Sequence, residues 1–163
     1  MGEFKDKVVI VTGAGSGIGR ACAVLFAKKG AKVVISDVDE NGGNESVSLI
    51  KKDGGEATFI KADVSKPEDC ETLVKKTVET YGRLDVGVNN AGIGGEPNMT
   101  GDYSLDGWHK VININLNGVF YNMKYQITEM LKHGGGSIVN IASILGQVGF
   151  ATASAYVAAK HGV

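Results

Sequence analysis

Two cysteines in 163 residues, Cys22 and Cys70, are too few for a disulfide framework. Both fall in stretches expected to be helical, so they read as inert thiols of a reduced, cytosolic chain. The three histidines, His109, His133 and His161, are scattered and form no metal-ligand spacing. No metal is expected. No apolar run is long enough to cross a bilayer. The first seven residues hold no apolar signal core, and Gly2 lacks the Ser or Thr that a myristoylation motif requires. Neither secretion nor membrane attachment is therefore expected. Seventeen Lys and Arg face eighteen Asp and Glu, a net charge of −1. With no basic block and no aromatic–basic interleaving, nucleic acid is not an expected partner.

What the chain does have is glycine. The 24 glycines cluster where turns are expected, which makes them positional rather than low-complexity. A hydrophobic share of 43% with 21% charged residues is that of a globular protein, and the length fits one domain, residues 1–163, with a real core. Strand-like apolar runs at 7–12, 32–37, 57–62, 84–89 and 137–142 alternate with amphipathic stretches at 17–29, 41–53, 67–81, 105–132 and from about 153 onward. Val8-Val9-Ile10-Val11 is apolar on both faces, as in a parallel strand covered by helices on each side. Pro67 with Ser65 before it reads as a helix start, and Gly30 and Gly82 as left-handed helix ends. The alternation implies an α/β fold, a doubly wound parallel sheet.

The first strand runs into Thr12-Gly13-Ala14-Gly15-Ser16-Gly17-Ile18-Gly19, which opens the first helix. Such a turn lets the backbone approach a pyrophosphate, and the helix N-terminus offers it N–H groups. Asp37 ends the second strand, 18 residues after Gly19. A carboxylate there can accept from both hydroxyls of an adenosine ribose and would repel a 2′-phosphate, which favours NAD over NADP. Asp39 is its rival for that role, and Asp37 could instead be a loop aspartate that caps the next helix. Asp63 and Val64 follow the third strand, where they could meet an adenine edge and face. Asn89-Asn90-Ala91-Gly92 follow the fourth, as site residues or as plain turn formers. The run 113–118 puts three asparagines inside a long helix, which implies either a solvated face or a bent, functional spot.

Tyr156 and Lys160 stand four residues apart in helix-forming sequence, on one face and one turn apart. A nearby ammonium favours the phenolate, so the pair suits proton exchange in carbonyl–alcohol chemistry.

Taken together these residues resemble the short-chain dehydrogenase/reductase family over essentially the whole chain. The 13–19 turn matches its T-G-x-x-x-G-x-G pattern in the short single-domain branch, and 89–92 matches its N-N-A-G motif. Asn115, Ser143, Tyr156 and Lys160 match its catalytic tetrad in order and approximate spacing. The resemblance implies a Rossmann fold and an oxidoreductase that moves hydride between NAD and an alcohol or ketone. It implies Tyr156 as general acid/base, Lys160 as its electrostatic partner and ribose ligand, and Ser143 as a hydrogen-bond partner of the substrate oxygen. Asn115 would hold a water in a proton relay, and the 89–92 motif would support the sheet and cofactor pocket. The implied cofactor contacts are Gly13, Ser16, Gly17, Ile18, Gly19, Asp37, Asp63, Val64, Asn90, Ala91, Gly92, Tyr156 and Lys160. A homo-oligomer is implied, through the long helix and the Tyr/Lys helix. Family members continue past the Tyr/Lys helix, so the chain reads as truncated after its fifth strand and the start of the following helix, with an exposed strand edge and weak activity expected. The rival readings are an NAD-binding fragment or sensor without catalysis, and an unstable fragment. Ile144, Leu145, Val148, Gly149 and Phe150, after Ser143, hint at an apolar or alicyclic alcohol.

Overall fold

A computed structural model describes residues 2–163. Five parallel strands, β1 (Val8–Thr12), β2 (Lys32–Asp37), β3 (Glu56–Lys61), β4 (Val86–Asn89) and β5 (Ser137–Asn140), form one sheet in the order β3-β2-β1-β4-β5. The chain winds outward from β1 to one side through β2 and β3, then returns and winds to the other side through β4 and β5. This is the doubly wound arrangement, with its switch point between β1 and β4. β5 occupies one edge, and Val139 on it is exposed.

Period-two alternation sends successive residues of β1 to opposite faces. Val9 and Val11 pack with Ala23 and Ala27 of α1 (Gly17–Lys28) and with Val47 and Ile50 of α2 (Glu40–Lys52). Ile10 packs on the other side with Leu73 and Val74 of α3 (Pro67–Tyr81) and Met130 of α5 (Gly118–Leu131). The expected boundaries shift by a residue or two: β3 begins at Glu56, β4 at Val86, and β5 ends at Asn140. α3 starts at Pro67 as expected, but Lys66 is its cap residue and makes no side-chain capping bond. Ser65 instead gives its hydroxyl to Asp63 at 2.7 Å. Gly30 and Gly82 do take positive φ, 95° and 80°, at their helix ends.

The long helix expected over 105–132 is three pieces. α4 (Leu105–Ile112) leads into a π-helical turn, Asn113–Asn117, and then into α5. The cause is tertiary. The carboxamide of Asn115, fully buried, accepts from the Ile93 N–H and donates to the Ile93 carbonyl, both at 2.8 Å. Fixing one helical side chain to a loop backbone opens the ladder by a residue, so the Gly118 N–H reaches back five residues to Asn113. The break gives the two segments different neighbours. α4 packs on α6 (Ser154–Gly162), and α5 packs on α3.

At the amino end of the sheet, buried Asp85 gathers four donors. The Val8 N–H, Lys7 Nζ and the Arg83 Nε and Nη2 lie 2.6–3.2 Å from its oxygens. Burial pushes this carboxyl up, but the Arg83, Val8 and Lys7 hydrogen bonds outweigh it and hold it below the usual carboxylate range. Its contribution to stability is therefore complete at neutral pH and is lost as pH falls below about 4. Asp85→Asn should lower stability by about 2 kcal/mol at pH 7, and its difference from the parent should shrink in acid. Urea midpoints at several pH values measure both. Asn115→Leu should cost about 2–3 kcal/mol by leaving the Ile93 N–H and carbonyl without partners, again read from urea midpoints.

Candidate active site

The segments that leave the carboxyl ends of β1 and β4 lead to helices on opposite faces of the sheet, and a cleft of about 430 Å³ opens between them. Gly13, Ser16, Gly17 and Ile18 line one wall, with Asp37 at the end of β2. Asp63 and Val64 after β3, and Asn90, Ala91 and Gly92 after β4, complete the lining foreseen from the sequence. Val38, Ala62, Ile93 and Ile114 also line it and were not foreseen. Each neighbours a residue that was, but an apolar side chain in sequence reads as core.

The turn is built by close packing. Gly13 has φ +62°, and a Cβ on it would stand 2.8 Å from the Ala91 backbone. Gly19 does not line the cleft. It lies beneath it, where a Cβ would strike the Gly13 carbonyl and the Asn90 carboxamide. That carboxamide is spent internally, its Nδ2 donating to the carbonyls of Thr12 at 3.0 Å and Gly13 at 3.1 Å. The Thr12 hydroxyl in turn accepts from the Asn90 and Ala91 N–H groups, both at 3.1 Å. Asn90 therefore offers the cleft its backbone, and its side chain ties β4 to the turn. Ser16 caps α1 without a side-chain hydrogen bond, and the first turn of α1 carries no acid. Its N–H groups are open to an anion.

The two aspartates after β2 divide the roles left open. Asp37 Oδ2 accepts from the Gly15 N–H at 2.8 Å, so the carboxylate is held against the turn inside the cleft. Asp39 caps α2, accepting from the Asn41 N–H at 3.1 Å. Arg20 reinforces the same corner, donating to the Gly15 carbonyl, to Ser46 Oγ and to Glu45. Asp63 Oδ1 accepts from the Ser65 N–H at 3.0 Å and from its hydroxyl, which fixes the β3–α3 turn.

Tyr156, Lys160, Ser143 and Asn115 stand outside the lining of this cleft, beside it. Tyr156 and the cleft residue Ile93 pack on the same buried trio, Val111, Ala155 and Ala159. Asn115 Oδ1 lies within 3.2 Å of where a Cβ on Gly92 would be. Lys160 is buried, its Nζ 2.6 Å from the Ile141 carbonyl just past β5 and 5.7 Å from the Tyr156 ring centre. Burial depresses the ammonium below its ordinary range. Ser143 Oγ accepts from the Leu145 N–H at 3.2 Å, opening a short 3₁₀ turn, Ile144–Gly146, on which α6 packs. The Asn115 carboxamide meets the Ile93 N–H with its oxygen and the Ile93 carbonyl with its nitrogen. Cys70, buried, has its thiol pushed up to about 12, chiefly by burial and then by Asp69 and Asp63, as suits an inert side chain. Among the described residues no group of three metal-ligating side chains assembles, and no helix is long and apolar enough to cross a membrane.

Known proteins are similar to this chain in sequence and in fold. Residues 7–163 match the family model of short chain dehydrogenases. Cyclohexanol dehydrogenase of Acinetobacter sp. (strain SE19) is 48% identical over 161 residues, 99% of this chain and 64% of that protein. The crystal structure of levodione reductase superposes with a TM-score of 0.95 at 41% identity, covering 98% of this chain and 63% of that one. That of NAD⁺-bound xylitol dehydrogenase gives 0.95 at 32%, covering 98% and 62%. The chain thus spans somewhat over three-fifths of the length of such relatives. Across that span the chain belongs to the short chain dehydrogenase family.

Proposed function

We propose that the protein is an NAD-dependent oxidoreductase that interconverts a secondary alcohol and its ketone, with Tyr156 as general acid/base. The observation that carries this reading is the buried Lys160 ammonium, held 5.7 Å from the Tyr156 ring beside a cleft at the sheet's switch point. A dinucleotide fits what the residues offer there. Gly17, with φ +53°, has open space where a Cβ would be, the first turn of α1 presents unpaired N–H groups, and Asp37 supplies a carboxylate suited to ribose hydroxyls.

On this reading Gly13, Ser16, Gly17 and Ile18 hold the pyrophosphate side, with Gly19 allowing the close packing beneath. Asp37 accepts from the adenosine ribose, and Asp63 and Val64 meet the adenine. Asn90, Ala91 and Gly92 offer backbone toward the nicotinamide half, with Tyr156 and Lys160 at its ribose. The bound nicotinamide supplies hydride acceptance or donation. The protein's own part is to orient the substrate and move a proton. The Ser143 hydroxyl hydrogen-bonds the substrate oxygen. The Lys160 charge lowers the cost of the Tyr156 phenolate, so that Tyr156 takes the alcohol proton in oxidation and returns it in reduction. Asn115 fixes the helix that backs this pair. Ile144, Val148 and Phe150, all exposed beyond Ser143, offer apolar contact to a ring. A cyclic alcohol is accordingly the substrate class we favour, in keeping with the cyclohexanol dehydrogenase likeness. The exposed apolar residues Phe120, Ile127 and Leu131 on α5 suit pairing with a second copy.

The test is turnover of cyclic secondary alcohols with NAD, followed by nicotinamide absorbance. Tyr156→Phe should lower kcat by about 10²- to 10⁴-fold while NAD binding persists. Binding of NAD by the parent protein without turnover of any secondary alcohol would favour a sensor instead. Asp37→Ala should relax the preference for NAD over its 2′-phosphorylated form by about ten- to a hundredfold, the weight of hydrogen bonds to a charged group. Titration with both dinucleotides measures the ratio, and tighter binding of the 2′-phosphorylated form by the parent would sink the assignment of Asp37.

A further inference from the structure

Behind the tetrad, a set of interior carboxamides links the outer helix layer to the end of the edge strand. Gln126 on α5 is fully buried and pairs with Asn89 through two bonds. Gln126 Nε2 donates to Asn89 Oδ1 at 3.0 Å, and Asn89 Nδ2 donates to Gln126 Oε1 at 3.2 Å. Asn89 Nδ2 also donates to Asn140 Oδ1 at 2.8 Å, and Asn140 Nδ2 reaches Met123 Sδ at 3.1 Å. The set thus begins and ends on α5. Gly87 of β4 makes room for it, since a Cβ there would strike the Gln126 carboxamide.

Main-chain bonds carry the linkage onward. Asn140 is the last residue of β5. The Ile141 N–H beyond it donates to the Asn89 carbonyl at 3.0 Å, and the Ile141 carbonyl accepts from Lys160 Nζ at 2.6 Å. The carbonyl that anchors Lys160 therefore belongs to a residue held by Asn89, next to a side chain held by the same Asn89. β5 is four residues long and has one neighbouring strand, so its end is prone to fraying unless something else clamps it. Apolar packing of the same volume would fill the core without the cost of taking six amide hydrogen-bonding groups out of water. What the polar set adds is a fixed position for the end of β5.

We propose that Gln126 is a positioning residue for Lys160, acting through Asn89, Asn140 and the Ile141 carbonyl. The catalytic consequence rests on the reading of Tyr156 and Lys160 given above. Nothing charged pairs with Lys160 among the described residues. On α6 the ionisable side chains besides Lys160 are Tyr156, its ring centre 5.7 Å from Nζ, and the exposed His161, its Nδ1 2.9 Å from the Val157 carbonyl. Of the elements packed on α6, the π turn and the 3₁₀ turn carry no ionisable side chain, and α4 carries Asp106, His109 and Lys110, all exposed. Loosening the Ile141 carbonyl therefore changes the Lys160 setting without a competing ion pair.

The experiment compares Gln126→Met, Asn140→Ala and a distant core control, Leu73→Ala on α3, with the parent protein. The first readout needs no turnover: the rate of acetic anhydride labelling at Lys160 as a function of pH, by mass spectrometry. Gln126→Met and Asn140→Ala should label Lys160 about five- to tenfold faster, the weight of one or two hydrogen bonds, while Leu73→Ala leaves it unchanged. The second readout is kcat against pH with NAD and a cyclic alcohol. The two network variants should lose about tenfold in kcat and shift the profile to higher pH, because a misplaced ammonium supports the phenolate less. Unchanged labelling in a folded Gln126→Met protein overturns the proposal, whatever its activity. Should Gln126→Met not fold, Asn140→Ala at its half-buried site decides alone: faster labelling supports the linkage, unchanged labelling overturns it. Equal acceleration in Leu73→Ala also overturns it, since general loosening would then explain the effect. Faster labelling in a protein that turns over no alcohol upholds the positioning of Lys160 and removes the catalytic reading instead.

Discussion

β1 and β4 are paired as far as Val11 and Val88, and past that point the carboxamide of Asn90 ties together the two segments that leave them. One nitrogen reaches two successive carbonyls, Thr12 and Gly13, while the Thr12 hydroxyl accepts from two successive N–H groups, Asn90 and Ala91. These reciprocal bonds satisfy backbone groups that lie past the last pair of the β1–β4 ladder. They also set how closely the glycine turn approaches the loop after β4. Gly13 and Gly19 are glycine because that approach leaves no room for a Cβ. The cleft, the open N-terminus of α1 and the bracing of Asp37 by the Gly15 N–H all follow from where this one contact places the turn.

A second side chain does similar work on the other wall. Asn115 grips both polar groups of Ile93 and in doing so opens the helix into a π turn. On either side of that turn, α5 packs on α3 while α4 packs on α6, the helix of Tyr156 and Lys160. Gly118, at the start of α5, lies so close to Val64 that a Cβ would stand 2.9 Å from it, which joins the kink to the cleft lining. Two asparagines that suggest ligand contact from sequence therefore act first on the backbone, and through it on the shape of the site.

Most of the fold was legible because its signals are local. β-Branched runs with both faces apolar mark the inner strands, and Pro67 and Gly82 mark the ends of α3 by the backbone angles they fix or permit. The cleft lining was legible where residue type reports proximity, as with the glycines of the turn and the aspartates at strand ends. Val38, Ala62, Ile93 and Ile114 were not legible, because an apolar residue facing a cleft has the same pattern as one facing the core. Ser65 looked like a cap, but a hydroxyl takes whichever acceptor is nearest, and Asp63 was nearer than the helix end. Gln126 sat unremarked in an amphipathic stretch, since a buried carboxamide and an exposed one are spelled alike.

The sequence by itself determined the doubly wound α/β class, the order of its elements, the glycine turn that opens α1 and the spacing of Tyr156 and Lys160. Each of these depends on spacing along a single segment, where 3.6- and 2-residue periods and glycine geometry suffice. Tertiary structure alone decided that Asp37 braces the turn while Asp39 caps α2, that Asn115 bends its helix, and that Lys160 is anchored by the Ile141 carbonyl. Those outcomes turn on which hydrogen-bonding group is left without water when distant segments close on one another. A buried polar group must find a partner from whatever the packing brings near, and neighbours 22 residues away, as Asn115 and Ile93 are, are set by the closure of the whole sheet.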